Sequence, residues 1–205
     1  NSSESAYQGG CAVIRTGAGA NDMVEIDKTK TVMWDTDRDG QYSEKSFPNA
    51  SSFLVATGDG NDIIDAQELV EALTLVAVAG DGNDSVLGGD GNDVIWGGHG
   101  HDVLAGGPGD DKMDAGDGND VVFGDSMESA TLFGGRNVSL DLGDAFRKAV
   151  LDGTGDVDLT KLKEGLVIGV GKGNDILVGG SGRNLLIGGS GNDKLFAGQI
   201  TLADA

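Results

Sequence analysis

The chain has 205 residues, 34 acidic against 14 basic side chains, a net charge of −20, and 37 glycines beside 2 prolines. An acid excess of that size argues against nucleic acid or an anionic membrane surface as partner. Glycine without a Gly-x-y period excludes collagen, and an aromatic content of 5% argues against a large globular core.

The acid load reads either as a solvated or disordered surface or as a sum from which bound cations are missing. Cys11 is the single cysteine. It leaves no intrachain disulfide and is expected to be a small buried hydrophobe. No apolar run is long enough to span a bilayer. With neither an initiator Met nor a signal peptide, the sequence reads as a processed product or an excised module.

Residues 1–56 alternate apolar and polar side chains, as in Met23-Val24-Glu25-Ile26 and Thr31-Val32-Met33-Trp34. The alternation predicts strands, forming irregular first coils or a cap over an otherwise open end. A degenerate glycine-rich unit begins at Thr16 and places Asp22 after one extra residue. Asp35-Thr36-Asp37-Arg38-Asp39-Gly40 has the opening of an EF-hand loop with glycine at its sixth place, but Ser46 stands where the bidentate Glu belongs. Asp35, Asp37 and Asp39 are therefore either a weaker calcium site or an acidic hairpin turn.

From Thr57 the chain reads TGDGNDIID, the first clear nine-residue unit. Residues 66–78 then separate it from the next, and the excess over one two-unit coil predicts a small bulge. One helical turn, capped by Asp65 with Glu68, fits that bulge. Five units run unbroken over 79–123: AGDGNDSVL, GGDGNDVIW, GGHGHDVLA, GGPGDDKMD and AGDGNDVVF. Residues 124–169 interrupt them. Phe146, Ala149 and Val150 at helical spacing, with Gly153 as a stop, predict a short helix over 144–151 that packs on one face or serves a partner. Three more units follow over 170–196: VGKGNDILV, GGSGRNLLI and GGSGNDKLF.

Two registers persist through all of these units. The sixth position is Asp62, Asp84, Asp93, Asp102, Asp111, Asp120, Asp175 or Asp193, with Asn184 as the exception, and the eighth is always apolar. Six residues with glycine at places two and four suit a tight turn. Three more suit a short strand whose eighth side chain points inward. Two units complete one coil, and coils stack about 4.8 Å apart. Each turn then lies over the turn two units on. The carboxylates and carbonyls converging between them make an all-oxygen cage that suits calcium.

These units resemble the haemolysin-type, or RTX, calcium-binding repeats of secreted bacterial proteins, closely over 57–123 and 170–196 and loosely over 16–56. The resemblance implies that the sixth-position aspartates and turn carbonyls ligate calcium. Asn184 offers only a neutral oxygen, so its site is expected to be weaker or absent, and that of Asp22 weaker. The expected fold is all-β: a right-handed parallel β-roll, or β-solenoid, of stacked nonapeptides with a small helical insertion. Its parts are an N-terminal cap or irregular coils (1–56), roll repeats (57–123), an insertion (124–169), and further repeats with a cap (170–205). The repeat pairs predict roughly 4–8 calcium ions held by oxygen ligands. Without them the acidic roll is expected to be expanded, and chelator or acid should undo it.

Other motifs carry less. His99 and His101 flank Gly100 at variable turn positions and are expected to face solvent rather than a transition metal. Gly171-Lys172-Gly173 lacks the upstream glycine of a phosphate loop. The glycosylation sequons at Asn1, Asn49 and Asn137 are within chance for this composition. Neither His-Glu-x-x-His nor Gly-x-Ser-x-Gly occurs, and no nucleophile has a recognisable base, so no enzymatic role is expected.

The leading expectation is a secreted, non-enzymatic, calcium-binding structural protein at the cell surface or in an extracellular matrix. The alternative is a secretion or substrate-binding module of a larger secreted enzyme of protease, lipase or alginate-epimerase type. Positions seven and nine are predicted to face outward, yet Val94, Trp96, Val121, Phe123, Ile176, Val178, Leu185 and Ile187 occupy them. Either the rest of the chain folds back over these side chains, or neighbouring copies do. The unpaired strand edges at the two ends would let copies join as a homopolymer.

Overall fold

The computed structural model describes residues 4–17, 19–36, 40–70, 73–125, 127–128, 167–168, 173–182, 184–189, 191–196 and 198. Among them the chain is all-β, with no helix. The N-terminal strands are β1 (Glu4–Gln8), β2 (Cys11–Arg15), β3 (Met23–Ile26), β4 (Thr31–Asp35), β5 (Ser43–Ser46) and β6 (Ser52–Asp59). The first repeat region adds β7 (Ile63–Asp65), β8 (Thr74–Asp81), β9 (Ser85–Leu87), β10 (Val94–His99), β11 (Val103–Ala105), β12 (Lys112–Asp117) and β13 (Val121–Phe123). Two short strands, β14 (Met127–Glu128) and β15 (Val167–Ile168), precede β16 (Ile176–Val178), β17 (Leu185–Ile187) and β18 (Lys194–Phe196).

Successive repeats place their strands in opposite sheets. The first sheet has the order β1-β2-β6-β8-β10-β12-β16-β18 and the second β17-β13-β11-β9-β7-β3-β4-β5. A strand's neighbour is therefore two units away in sequence. β10 pairs in parallel with β12 through Ile95 and Met113, and β11 with β13 through Leu104 and Val122. Parallel neighbours need a crossover connection; here the crossover is the strand of the opposite sheet with its two turns. The eighth-position side chains Ile64, Val86, Ile95, Leu104, Met113, Val122 and Leu177 are all 0% exposed and form the core between the sheets. The row weakens at its end, where Leu186 is half-buried and Leu195 is 45% exposed.

Pairing turns antiparallel at the N-terminal end. β1 folds back on β2 through Gly9 and Gly10, at φ 60° and 89°. β3 continues the parallel series against β7 but pairs antiparallel with β4, and β4 with β5. Phe47 and Ala50 fill the core beneath. An end built of antiparallel strands differs from the repeating edge and does not simply template another coil.

Of the bulge predicted for 66–78, residues 66–70 form a turn, and the described residues of the segment contain no helix. Asp65 Oδ1 accepts from Gln67 N at 3.1 Å, as a cap would, and Leu69 N donates to Ala66 O at 2.9 Å, closing a single turn. Asp90 N donates to Leu69 O, and Leu69 is 1% exposed, so this segment is drawn against the next coil rather than into a helix. The helix predicted over 144–151 lies outside the described residues.

The two repeat blocks share the same sheets. β12 pairs with β16 and β13 with β17, in the register an unbroken repeat would give. The interruption falls inside one turn. After β13 the turn begins with Gly124 and Asp125, then resumes at Gly173-Asn174-Asp175. Gly107 N donates to Gly124 O at 3.1 Å on one side, and Gly124 N donates to Ile187 O at 2.7 Å on the other. β14 and β15 pair antiparallel, so the departing and returning strands lie side by side. Closing a long loop within a turn is tolerable because each doubling of length adds only about 0.6 kcal/mol.

The two outer faces differ. On the second sheet Leu87, Val103, Ala105, Val121 and Phe123 are 0–3% exposed, so positions seven and nine are covered within a single chain over β9, β11 and β13, whereas Leu185 and Ile187 of the edge strand β17 are half-buried. On the first sheet the register partners Trp96 and Val78 are 37% and 38% exposed, and Lys112 and Lys194 are exposed in the row of Val94 and Ile176, while Val178 is buried. Cys11 is half-buried rather than buried.

Candidate metal centre

Each clear repeat turn carries a glycine at its fourth place, where a side chain would meet backbone of the neighbouring coil. Gly82 sits at φ 141°, and a Cβ there would fall against the carbonyl of Gly60 in the preceding coil. Positive φ and close approach thus coincide, because the coil above must bring its backbone onto the carbonyls below.

Within this stack the sixth-position carboxylates form two rows. In one, Asp22 N donates to Asp62 Oδ1, Asp62 N to Asp84 Oδ1, Asp84 N to Asp102 Oδ1 and Asp102 N to Asp120 Oδ1, each at 2.8 Å, and Asp120 N donates to Asn184 Oδ1 at 2.9 Å. In the other, Leu75 N donates to Asp93 Oδ1 and Asp93 N to Asp111 Oδ1 at 2.8 Å, then Asp111 N to Asp175 Oδ1 at 2.9 Å and Asp175 N to Asp193 Oδ1 at 3.0 Å. From Asp62 onward, one oxygen of each carboxylate is thus spent on the coil before it. Asp22, Asp62, Asp84, Asp93, Asp102, Asp111, Asp120 and Asp175 are all 0–1% exposed, whereas Asp193, in the last turn, is half-buried.

The second oxygens carry the chemistry. Asp111 Oδ2 and Asp175 Oδ2 are buried with no hydrogen-bond partner. Burial, then the charges of Asp93, Asp175 and Asp125, lift the Asp111 carboxyl from 3.8 to about 9 against the lowering effect of the Asp93 amide. Asp93 and Asp175 are pushed up to about 6, mainly by burial. Buried carboxylates without a counter-charge are costly. First-position glycines open the space in front of them. A Cβ on Gly106 would strike both Asp111 Oδ2 and the Gly124 carbonyl, and one on Gly97 both Asp102 Oδ2 and the Ala115 carbonyl. Carboxylate and carbonyl oxygens thus meet in cradles that a side chain would fill, and an all-oxygen donor set of this kind fits calcium. Among the described residues no group of three or more acidic, histidine or cysteine side chains converges on one point. Such a cradle therefore draws on backbone oxygens to complete its set.

Three features escaped the sequence. First, the fifth position is not a free one. Asn83 N donates to Asn61 Oδ1 at 2.7 Å, His101 N to Asn83 Oδ1 at 2.8 Å and Asn119 N to His101 Nδ1 at 2.9 Å. These bonds run opposite to those of the sixth position, so adjacent rows bind each coil to both neighbours. His101 is accordingly half-buried, correcting the expectation of exposure. His99 is exposed as expected, between Asp81 at 3.1 Å and Asp117 at 3.5 Å. The repeated Asn at place five was the available signal. Second, Leu75 occupies a sixth position in the first sheet, facing Phe53 and fully buried, so the carboxylate row there starts only at Asp93. Third, Asp125 enters a repeat turn at the place of a glycine and is 1% exposed. Its signal was Gly124, which keeps the period of Gly88 and Gly106.

Asp35 is 2% exposed, and its Oδ2 accepts from Gly40 N at 2.8 Å across the loop between antiparallel β4 and β5. Asp37 and Asp39 lie outside the described residues, as do Lys172 and the sequons at Asn1 and Asn137. Among the described residues no helix is long and apolar enough to cross a membrane.

A family model for the RTX calcium-binding nonapeptide repeat (4 copies) matches residues 78–113, 100–126 and 170–199. Neither a curated protein nor a solved structure matches the chain. These matched segments supply β9 to β13 and β16 to β18, and with them most of the buried sixth-position carboxylates. The chain therefore carries RTX calcium-binding nonapeptide repeats, set alternately into its two eight-stranded sheets.

Proposed function

We propose that this chain is a non-enzymatic, calcium-stabilised extracellular structural protein. Its two sheets form a right-handed parallel β-roll, with calcium between stacked turns. The observation that carries the reading is Asp111: a fully buried carboxylate whose Oδ2 has no donor, beside other acidic side chains, in front of a glycine cradle. Folding it costs free energy unless a cation shares the site. The ligands are the sixth-position aspartates with turn carbonyls, the ions number roughly 4–8, and Asn184 marks a weaker position. Because stacking continues across the interruption from Asp111 to Asp175, the sites form two uninterrupted rows rather than two separate blocks.

Outside cells calcium is abundant enough to keep such sites loaded, and a ligand that binds only the folded state stabilises it by mass action. Self-association belongs to the same reading. With the outer face of the second sheet covered over β9, β11 and β13, copies would join through the strand edges of β17 and β18 and the exposed Trp96 and Val78. Sedimentation in millimolar calcium tests this part, and a monodisperse monomer at high concentration would rule it out.

The central test is circular dichroism of the full chain in chelator and after calcium is restored. A β-rich spectrum that weakens in chelator and recovers with calcium is the expected result. A well-folded spectrum unchanged by chelator would overturn the proposal.

A further inference from the structure

The turn that the interruption splits differs from every other turn in the array. Its second place, glycine in each of the clear repeats, is Asp125. This side chain is 1% exposed, and its Oδ2 lies against Gly189 of the following turn. Asp175, at the sixth place of the same turn, is also 1% exposed. Its Oδ2 has no hydrogen-bond partner and faces Gly124, whose open side also looks onto the carbonyl of Gly188. A Cβ on Gly124 would meet the Gly188 carbonyl and Asp175 Oδ2, and one on Gly189, the residue after Gly188, would meet Asp125 Oδ2, so both carboxylates front the same stretch of the following turn. One of them stands where the interrupting segment leaves the array and the other just after it returns. Meanwhile β14 and β15 hold the two strands of that segment together.

We propose that Asp125 and Asp175, with the backbone carbonyl of Gly188, hold a calcium ion that closes the split turn and joins the two ends of the 126–172 segment. An ordinary repeat turn is closed covalently, through its third residue. This one lacks that continuity, and a divalent cation shared by carboxylates on both sides of the gap replaces it. Calcium suits the task because it accepts mixed carboxylate and carbonyl oxygens in flexible geometry. The inference rests on the reading of the repeats as calcium sites and adds a ligand that no regular repeat possesses.

The test is a calorimetric calcium titration of the full chain, wild type against Asp125→Asn and Asp125→Gly. Asp125→Gly restores the glycine found in every other turn, so it preserves the fold even if the amide does not. Both variants should lose one ion, or weaken one site at least tenfold, with the remaining sites unchanged. Unaltered number and affinity in both variants would overturn the proposal while leaving the repeat sites standing. A wild type that binds no calcium at all would instead remove the reading beneath it. As a check independent of variants, an anomalous difference map of calcium-grown wild-type crystals should place an ion between Asp125 and Asp175. A map with ions at other turns and none here would sink the idea.

Discussion

The backbone amide of Asp93 donates to Oδ1 of Asp111 at 2.8 Å, one coil away and fully buried. On the proposed calcium reading the carboxylate has two tasks, one oxygen for the stack and one for a cation, and substitutions separate them. Asp111→Ala leaves the Asp93 amide without an acceptor and should cost about 1–3 kcal/mol even in chelator. Asp111→Asn keeps the acceptor and removes the charge. It should stabilise the metal-free protein at neutral pH and weaken the response to calcium. Urea midpoints in chelator and in calcium measure both; equal losses for the two variants in chelator would refute the division of labour.

The pH dependence should change sign with calcium. Burial raises Asp111 from 3.8 to about 9 and Asp93 and Asp175 to about 6. A folded-state value above the unfolded one means that the folded state binds more protons in between, so stability falls as pH rises. These three groups leave the metal-free fold most stable below about pH 4, less so by pH 6, and for Asp111 the loss continues towards pH 9. Calcium requires the deprotonated form, so its stabilisation grows over the same range. Melting temperatures in chelator should decline from acid to neutral pH, while those in calcium should rise. Parallel trends would show that these carboxylates do not hold the metal.

Glycine substitutions should separate close approach from backbone conformation. Gly9, at φ 60°, has open space where a Cβ would stand, with nothing within 4 Å. Gly9→Asn should therefore change stability by no more than roughly a few tenths of a kcal/mol. Gly82→Ala meets both an unfavourable φ and the Gly60 carbonyl. It should cost more than the about 1–3 kcal/mol of strain alone, and calcium should not rescue it. Thermal denaturation of the two variants side by side provides the comparison.

The core row should be graded along the array. Ile95 is 0% exposed and sandwiched between Ala77 and Met113 in neighbouring coils. Ile95→Ala should cost about 2–5 kcal/mol. Leu195, 45% exposed in the last strand, has less to lose, about 1 kcal/mol on truncation to alanine. Denaturant unfolding in saturating calcium reads the difference, and equal costs would mean that the C-terminal coil is covered by something further.

Removing residues 127–172 would leave Gly124-Asp125-Ser126-Gly173-Asn174-Asp175, a turn of ordinary length. The pairing of β12 with β16 and β13 with β17 already has the register such a turn requires. The shortened chain should keep its calcium-induced β spectrum. Loss of that spectrum would show that the segment supports the sheets as well as interrupting them.

Much of this arrangement was legible because a nine-residue period fixes both the side of each residue and its height in the stack. Asp84, Asp93, Asp102, Asp111 and Asp120 were recognisable as one class from spacing alone, and Val86, Ile95, Leu104, Met113 and Val122 as another. Two units per coil follow from that period, and so does the alternation of strands between sheets. Where the period broke, local sequence no longer determined the outcome. Residues 66–70 had the composition of a helical turn, but Leu69 gained more by burial against the next coil. The bond between Asp111 and Asp175 spans 64 residues, and only the sheets bring those two residues together. The same holds for Asp125, whose glycine-like place in a turn exists only once Gly173 completes it. Sequence sets the repeating contacts, because each lies one coil from its partner. The tertiary structure decides the closure of the split turn, because its two halves come from distant parts of the chain.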